Sequence, residues 1–574
     1  MVHNAANHVY GPSSNSNGTL TISDGINWSK TFLQLLRFNK SFDDHSLEVI
    51  AAHETFETSL AYSQQYKQEV LLPGVFNLSN YLLENQPSFG YINESGIESY
   101  FGQATYNYAN KYFFSGSIRT DGSSRFINEK WGTFGSVGGS WIVSEEDFMT
   151  DSFLSYLKVK ASYGITGDQQ GPGTSTAFTR YNTSYVGGLA ISEAVVGNPD
   201  LTWETSKMIQ GGVEMSFGNY LDVNVDYYRK NTDNLFFNQR VGPSSGISSI
   251  LVNDGEVLNS GLEFEVNAYL IKKEDFSLNL SFNGEMLSNE MVTLPLDVST
   301  GLPKIIDENS STDGNYAFTE GRSIFDFYMR EWAGVDPTDG APMWYQYYDD
   351  KNNNNVLDAG EGDFATLEDG TSSSTSTMYE YQLLAENANI KKTTTKTYAD
   401  GTQKYIDKSF IPDLRGAFRI SGKIKNFDFS TQFTYSLGGY AYDAQYAELM
   451  SDRFGAAGNN YHSDILLRWQ NPGDVTGVPL LSDNATVNAT STSSRFITST
   501  DYLGLNNARV GYTVPSNFIT KSGVDSINLW VSGDNLFLNT VRNGFNPNTS
   551  EAGNSGRALY APATTITMGV RVKF

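Results

Sequence analysis

The sequence predicts an all-β protein, a transmembrane antiparallel β-barrel, and three observations carry that prediction. The first is period-two alternation repeated over most of the chain. Leu221, Val223, Val225 and Tyr227 alternate with Asp222, Asn224 and Asp226, and Phe276, Leu278, Leu280 and Phe282 with Ser277, Asn279, Ser281 and Asn283. Successive side chains on a strand point to opposite faces, so each run has one apolar and one wet face. The second is composition. Aromatic residues make up 13% of the 574 and charged residues only 18%, with 53 Gly; alternation between lipid and water gives a barrel this mixture. The third is the spacing of the connections. Short turns at Gly218-Asn219, Lys272-Lys273-Glu274 and Lys425-Asn426 alternate with long stretches near 168–204, 237–258, 287–415, 439–500 and 541–563. A membrane barrel places short turns on one side and long loops on the other, and a soluble sandwich has no reason to.

Taken in order, residues 1–26 are polar and uninformative, and from Asn27 the alternating text runs to the C-terminus as about fifteen strands. The most regular stretch is Tyr112–Met149. Tyr112, Phe114 and Ile118 share one face of its first strand, and Ser115, Ser117 and Arg119 the other. A polar tip opens at Asp121-Gly122-Ser123-Ser124-Arg125-Phe126, a second strand returns, and an acidic turn closes the unit. Further on, Gly211–Phe217 pairs with Leu221–Tyr227, Leu262–Leu270 with Phe276–Phe282, and Phe418–Ile424 with Phe427–Leu437. In the last strand Ile566, Met568, Val570, Val572 and Phe574 form the lipid-facing side, with Thr565, Thr567, Arg571 and Lys573 opposite. With this strand ending on the short-turn side, every short turn named above falls on that side.

Several function classes are argued against by composition. The net charge of −25 and the lack of a clustered Lys/Arg run speak against nucleic acid, whose phosphates require such clusters. Cysteine is absent, which removes disulfides, thiolate chemistry and zinc–cysteine sites. No apolar run approaches the ~18 residues of a membrane helix. The opening Met1-Val2-His3-Asn4 is polar and reads as the interior of a domain, without a signal peptide.

Few motifs carry chemistry. Asp350–Glu361 fits a twelve-residue calcium loop: side-chain oxygens from Asp350, Asn352, Asn354, Asp358 and Glu361, the backbone carbonyl of Val356, and a hydrophobe after it. Asn355 stands where such loops turn on glycine, and Asn tolerates positive φ. The flanks are not helical, and the competing reading is a solvated loop tip. Gly242-Pro243-Ser244-Ser245-Gly246 matches the GxSxG of hydrolases, but no helical pattern follows it. His3, His8, His45, His53 and His462 show no HExxH spacing, which argues against a metallohydrolase. Trp332, Trp344, Tyr345, Tyr347 and Tyr348 cluster in the longest connection. They read either as a ligand platform, with Trp332, Trp344 and Tyr345 as its members, or as a loop packing on itself; the second reading is favoured, since aromatics are common throughout.

The order of motifs also resembles a known family. DGSSRF (121–126), WGTF (131–134), SEEDFM (144–149) and LKVKASYGITGDQ (157–169) are similar to the barrel region of SusC/RagA-type TonB-dependent outer-membrane transporters. NPDLTWETS (198–206), WAGVDPTDGAPMWY (332–345), TDYLGLNNARVGYTVP (500–515), INLWVSGDNLF (527–537) and GFNPNTS (544–550) continue it. The resemblance implies roughly the last fifteen of about 22 barrel strands, with the plug and TonB-contacting segment upstream of Met1. It further implies an outer-membrane location, import of oligosaccharides or peptides, a SusD-like lipoprotein cap, TonB below, and no bond chemistry and no cofactor apart from the calcium loop. On this expectation the chain alone, with an open edge and no plug, does not transport. A passive porin-like barrel and a surface adhesin are the alternatives from another class.

Overall fold

The computed structural model describes every residue except 1, 5–17, 85, 172, 174–175, 186–188, 242–248, 297–303, 307–314, 363, 365–376, 386, 452–459, 482–487, 516–522 and 548–561. Among the described residues there are fifteen strands of nine residues or more, the number the alternation predicts. They are β1 (Thr19–Phe42), β2 (His45–Val70), β3 (Phe89–Tyr108), β4 (Tyr112–Ser123), β5 (Trp131–Ile142), β6 (Tyr156–Asp168), β7 (Glu204–Phe217) and β8 (Leu221–Asp233). Then follow β9 (Glu256–Lys272), β10 (Phe276–Thr293), β11 (Leu414–Ile424), β12 (Phe427–Leu437), β13 (Tyr502–Thr513), β14 (Ser526–Asn539) and β15 (Thr565–Lys573). The first of them begins at Thr19, inside the segment that looked uninformative, because Leu20 and Ile22 already alternate with Thr19 and Thr21. Short and long connections alternate as expected with two departures: 143–155 and 514–525, both on the short-turn side, are longer than the tip 124–130. The first is stiffened by 3₁₀ turns at Val143–Glu145 and Asp147–Met149. The GxSxG stretch 242–246 lies outside the described residues.

The chain divides into two compact units. The first comprises residues 1–139, 163–206 and 234–253, and its framework is the antiparallel meander β1–β2–β3–β4. The register is unbroken from Thr19↔Gln68 to Phe42↔His45, so one face keeps the even residues of β1 and the odd residues of β2. That face is banded. At the short-turn end it carries Phe42, His45, Tyr108 and Tyr112, with Phe42 and His45 stacked at 4.8 Å and His45 and Tyr108 at 4.9 Å. Leu36, Phe38, Phe114 and Ile118 follow, all exposed. A second aromatic row then appears, His53 stacked on Tyr100 at 4.7 Å with Trp131 beside it. Beyond it charged residues enter the same face, Lys30, Glu57, Glu94 and Glu98, among the exposed Phe32, Trp28, Ile26 and Ile92. From His45 to His53 the strand advances about 20 Å along a normal tilted by ~40°, close to the ~25 Å apolar band of a membrane barrel. The opposite face is wet: Arg119 donates to Asp121 (2.6 Å) and to Ser99 (2.7 Å).

The second unit comprises residues 140–162, 207–233 and 254–574. Its sheet is the meander β8 to β15, each strand antiparallel to the next. Phe282, Phe418 and Phe433 are direct partners across three strands, and Phe418 stacks on Phe433 at 4.7 Å. In β15, Met568, Val570 and Val572 pair with Val531, Leu529 and Ile527, whereas Thr567, Arg571 and Lys573 pair with Ser532, Asn528 and Ser526. Met568 is 76% exposed and Val570 64%, although both belong to an apolar row. A continuous exposed apolar face needs a partner, and in a barrel wall that partner is lipid. Gly416, in β11, allows close packing on this face: a Cβ there would stand 2.1 Å from the Asn283 carbonyl and 2.7 Å from the Tyr435 hydroxyl.

Candidate functional site

The tips and loops of each unit carry the motifs. In the first unit the 121–126 motif has a structural task. Phe126, fully buried, packs with Ala177, Leu201 and Trp203, and the Trp203 ring lies 5.5 Å from Phe126 and 5.4 Å from Phe134. Trp203 Nε1 donates to the Lys130 carbonyl (3.1 Å), and Asn128 donates to Pro199 and Asp200. Asn253 both accepts from the Thr202 amide (2.7 Å) and donates to its carbonyl (2.9 Å). The sequence motifs at 121–126 and 198–206 are thus two halves of one clamp that knits three connections.

In the second unit the long connections 294–413 and 438–501 fold on themselves. Strands Asp326–Arg330 and Gln403–Ser409 pair, and Pro342–Asp349 pairs with Trp332–Val335 on one side and Ile390–Thr395 on the other. A core of Tyr316, Phe327, Met329, Tyr442, Ile465 and Phe496 lies among them. Asp443, buried, is paired with Arg542 from the last connection, and Arg542 also lies 4.3 Å over the Tyr446 ring. Gly340 (φ +74°) forms the turn on which Trp469 rests, and Trp469 Nε1 donates to the Pro337 carbonyl (3.1 Å).

This packing takes in the aromatics at 332–345 to different degrees. Trp344 has no exposed surface and sits edge-on between Trp332 (5.7 Å) and Tyr398 (5.3 Å). Trp332 is half-buried under the Arg495 guanidinium, and Lys392 caps the Tyr345 ring at 3.7 Å. Trp344 is closed to a ligand by this packing, whereas Trp332 and Tyr345 are half-buried, each with a cation over its ring.

The 350–361 segment fares differently. Asp350 is 1% exposed and Glu361 6%. The Asp350 carboxylate accepts the amides of Asn354 (2.9 Å) and Asn355 (3.0 Å), and Glu361 those of Lys351 (3.2 Å) and Asp358 (2.9 Å). Asn352 and Asn354 both direct their side-chain amides at Asp358, each at 2.7 Å; rotating those amides would bring their oxygens to the same point. Asn355 has φ +59°, the conformation the missing glycine would supply. Among the described residues these two buried carboxylates have no basic partner, and that is the observation on which a calcium ion fits. Among the described residues no group of three or more His, Cys, Asp or Glu forms a metal cage. A cation here would therefore depend on the Asn oxygens and the Val356 carbonyl as well.

The ion pairing across the wet face of the second unit's sheet is the feature that sequence reading missed. Lys160 reaches Glu214 (3.2 Å) and Asp226 (3.0 Å), Arg415 reaches Glu285 (2.7 Å), and Arg509 pairs with Asp428. Each of these residues was visible on the polar side of an alternating run; only the register shows which of them meet.

An antiparallel wall with one apolar face, one charged face and long self-packed connections defines a membrane β-barrel protein. Residues 2–319 match the family model described as TonB dependent receptor-like, beta-barrel, and the chain belongs to that family. It is 30% identical over 567 residues to TonB-dependent receptor P3 of Formosa agariphila, covering 94% of this chain and 52% of that protein. It is 25% identical over 508 residues to TonB-dependent receptor SusC of Bacteroides thetaiotaomicron, covering 84% of this chain and 44% of SusC. Among solved structures it is similar to the RagAB peptide transporter, with a TM-score of 0.79 at 22% identity, over 100% of this chain and 58% of that one. The chain spans about half the length of the curated relatives it matches. Barrels of this family are outer-membrane proteins.

Proposed function

We propose that this chain forms the greater part of the barrel wall of an outer-membrane, TonB-dependent importer of large nutrients, oligosaccharides or peptides, working with a SusD-like surface partner. The observation that supports this most directly is the segregation of the sheet into an exposed apolar face and an ion-paired wet face, joined to family membership. Work is done by binding and gating, and no bond is made or broken in the ligand. The self-packed connections give the long-loop end a firm rim on which a capping partner can sit. Within that rim Asp350, Asn352, Asn354, Asp358 and Glu361, with the Val356 carbonyl, would hold a calcium ion. Calcium would neutralise the buried Asp350 and Glu361 carboxylates and order the loop.

The test is uptake. The complete reading frame is expressed in an outer-membrane host with and without TonB, and labelled oligosaccharides and peptides are offered. Uptake that requires TonB is expected. Uptake indifferent to TonB would mean a passive pore, and surface exposure without uptake would mean an adhesin.

A further inference from the structure

The first unit carries a concavity of about 320 Å³ on its apolar face, immediately beyond the upper aromatic row. Gly96 and Gly122 leave the sheet bare there, and Glu57, Glu98, Lys130 and Trp131 stand around them. The register fixes its depth. Thr55 pairs with Glu98, and Glu57 with Gly96, two and four residues past the His53–Tyr100 pair. At ~3.3 Å per residue and ~40° of tilt, the concavity reaches from the row to about 10 Å beyond it. The headgroup layer of a bilayer adds about 5–8 Å to each side of the hydrocarbon. On a lipid-facing wall the groups that meet this concavity are therefore headgroups, with the acyl chains below the row.

Its walls are preformed. The Trp131 indole lies over Gly122, where a Cβ would stand 2.9 Å from three ring atoms, and Trp131 stays 50% exposed. The Gly96 amide donates to Ser124 Oγ (2.9 Å), and the Ser124 amide to the Gly96 carbonyl (3.0 Å). The Lys130 carbonyl accepts from the Ser123 amide (3.0 Å) and from Trp203 Nε1 (3.1 Å). Glu57, Glu98 and Lys130 are the titratable groups of the lining. Glu98 is engaged, accepting from the Tyr100 hydroxyl (2.7 Å) and lying 3.3 Å from His53 Nε2. Lys30, opposite Glu57, rests over the Trp28 ring at 4.5 Å. Among the described residues neither the Glu57 carboxylate nor the Lys130 ammonium has a hydrogen bond or an ion pair. One open anion and one open cation border the same concavity.

We propose that this concavity binds the phosphoethanolamine headgroup of a membrane lipid, with its phosphate at Lys130 and its ammonium between Glu57 and the open side of the Trp131 ring. The site rests only on this face meeting lipid, and holds whether the wall belongs to an importer or to a passive pore. An ammonium gains from a carboxylate and from an aromatic face, and a phosphate gains from a lysine. A purely anionic headgroup would meet two carboxylates for one lysine, and a purely cationic one would meet Lys130, so a zwitterion is the better match. The bare floor admits it. A Cβ at Gly96 would meet nothing nearer than the Phe56 carbonyl at 3.7 Å, so a larger side chain there fills the space without straining the sheet.

The experiment is native mass spectrometry of the intact protein released from detergent, which counts the lipids it retains. Dioleoyl phosphatidylethanolamine is compared with its N-acetyl derivative, which lacks the ammonium, and with a dioleoyl trimethylammonium lipid, which lacks the phosphate. Retention of phosphatidylethanolamine at least fivefold above both controls is expected. Glu57→Gln and Lys130→Gln should each lower it at least threefold, and Gly96→Leu should abolish it. The thermal transition in lipid-free detergent should not move in any of the three, which separates loss of the site from loss of the fold. A disaccharide lipid carrying phosphoethanolamine is the remaining probe. Its retention above phosphatidylethanolamine would assign the headgroup to a sugar-based lipid, and the reverse order to a glycerol-based one. Equal retention of phosphatidylethanolamine and either control overturns the site, as does retention left unmoved by any of the three substitutions.

Discussion

Placing an arginine on either face of the last strand tests the assignment of lipid and water to the sheet. Val570 lies in the exposed apolar row of β15, opposite Leu529, while Thr567 lies on the other face, opposite Ser532. Phe574 marks the short-turn end. Four residues at ~3.3 Å each, tilted by ~40°, raise Val570 about 10 Å above it, near the middle of a ~25 Å apolar band. An arginine at the midplane of a barrel's lipid face costs ~2–4 kcal/mol, and at this depth Val570→Arg should cost about 2–3 kcal/mol. Thr567→Arg faces water and should stay within ~0.5 kcal/mol. The assay is urea unfolding of the intact protein in lipid vesicles, followed by tryptophan fluorescence. Equal losses at the two positions, or a larger loss at Thr567, would refute the assignment of faces.

Trp203→Ala removes a buried ring from the clamp between 121–126 and 198–206, together with its hydrogen bond to Lys130. A loss of ~3–5 kcal/mol is expected, read as earlier proteolysis of the 169–203 connection. Calcium should protect residues 287–415 from proteolysis at millimolar concentration, with the protection lost in Asp350→Asn plus Glu361→Gln; equal protection in the variant would dismiss the site. The hydrogen bond from Lys396 and the Thr338 amide hold Asp336 down at about 2. A depressed carboxyl stabilises the fold above its unfolded pKa, so this contribution is present above pH ~4 and fades as pH falls through about 2. Carboxyl titration by carbon NMR should show it, and Lys396→Met should move Asp336 back toward the ordinary range.

The number of strands and their two faces were legible because a period of two needs only local sequence. What meets what was not. Glu263 and Glu285 each alternate correctly within their own strands, but their opposition depends on the turn at 273–275 and on the register shift between Tyr269 and Ile271. Asp443 and Arg542 lie 99 residues apart, and nothing local links them. Trp344 was ambiguous for a related reason. A tryptophan in a long loop offers the same letter whether it faces a ligand or a core, and only the neighbours Trp332 and Tyr398 decide. The 350–361 segment stands out in the sequence because its oxygens recur at fixed spacing, and Asn355, its one departure from that pattern, has positive φ.

The two aromatic rows on the first unit's apolar face stand about 20 Å apart along the strands, close to the height of a membrane barrel's apolar band. β2 continues from Thr55 to Val70 beyond the upper row, a rise of roughly 40 Å at ordinary strand spacing and tilt. That span is a lever arm. A sideways load on the top of this unit becomes torque about the row of His53, Tyr100 and Trp131. It is carried as shear by the uninterrupted β1–β2 ladder from Thr19 to Phe42. The part of the wall beyond the upper row is held by that unbroken ladder, and a load on its tip is passed down to the level of the row through it.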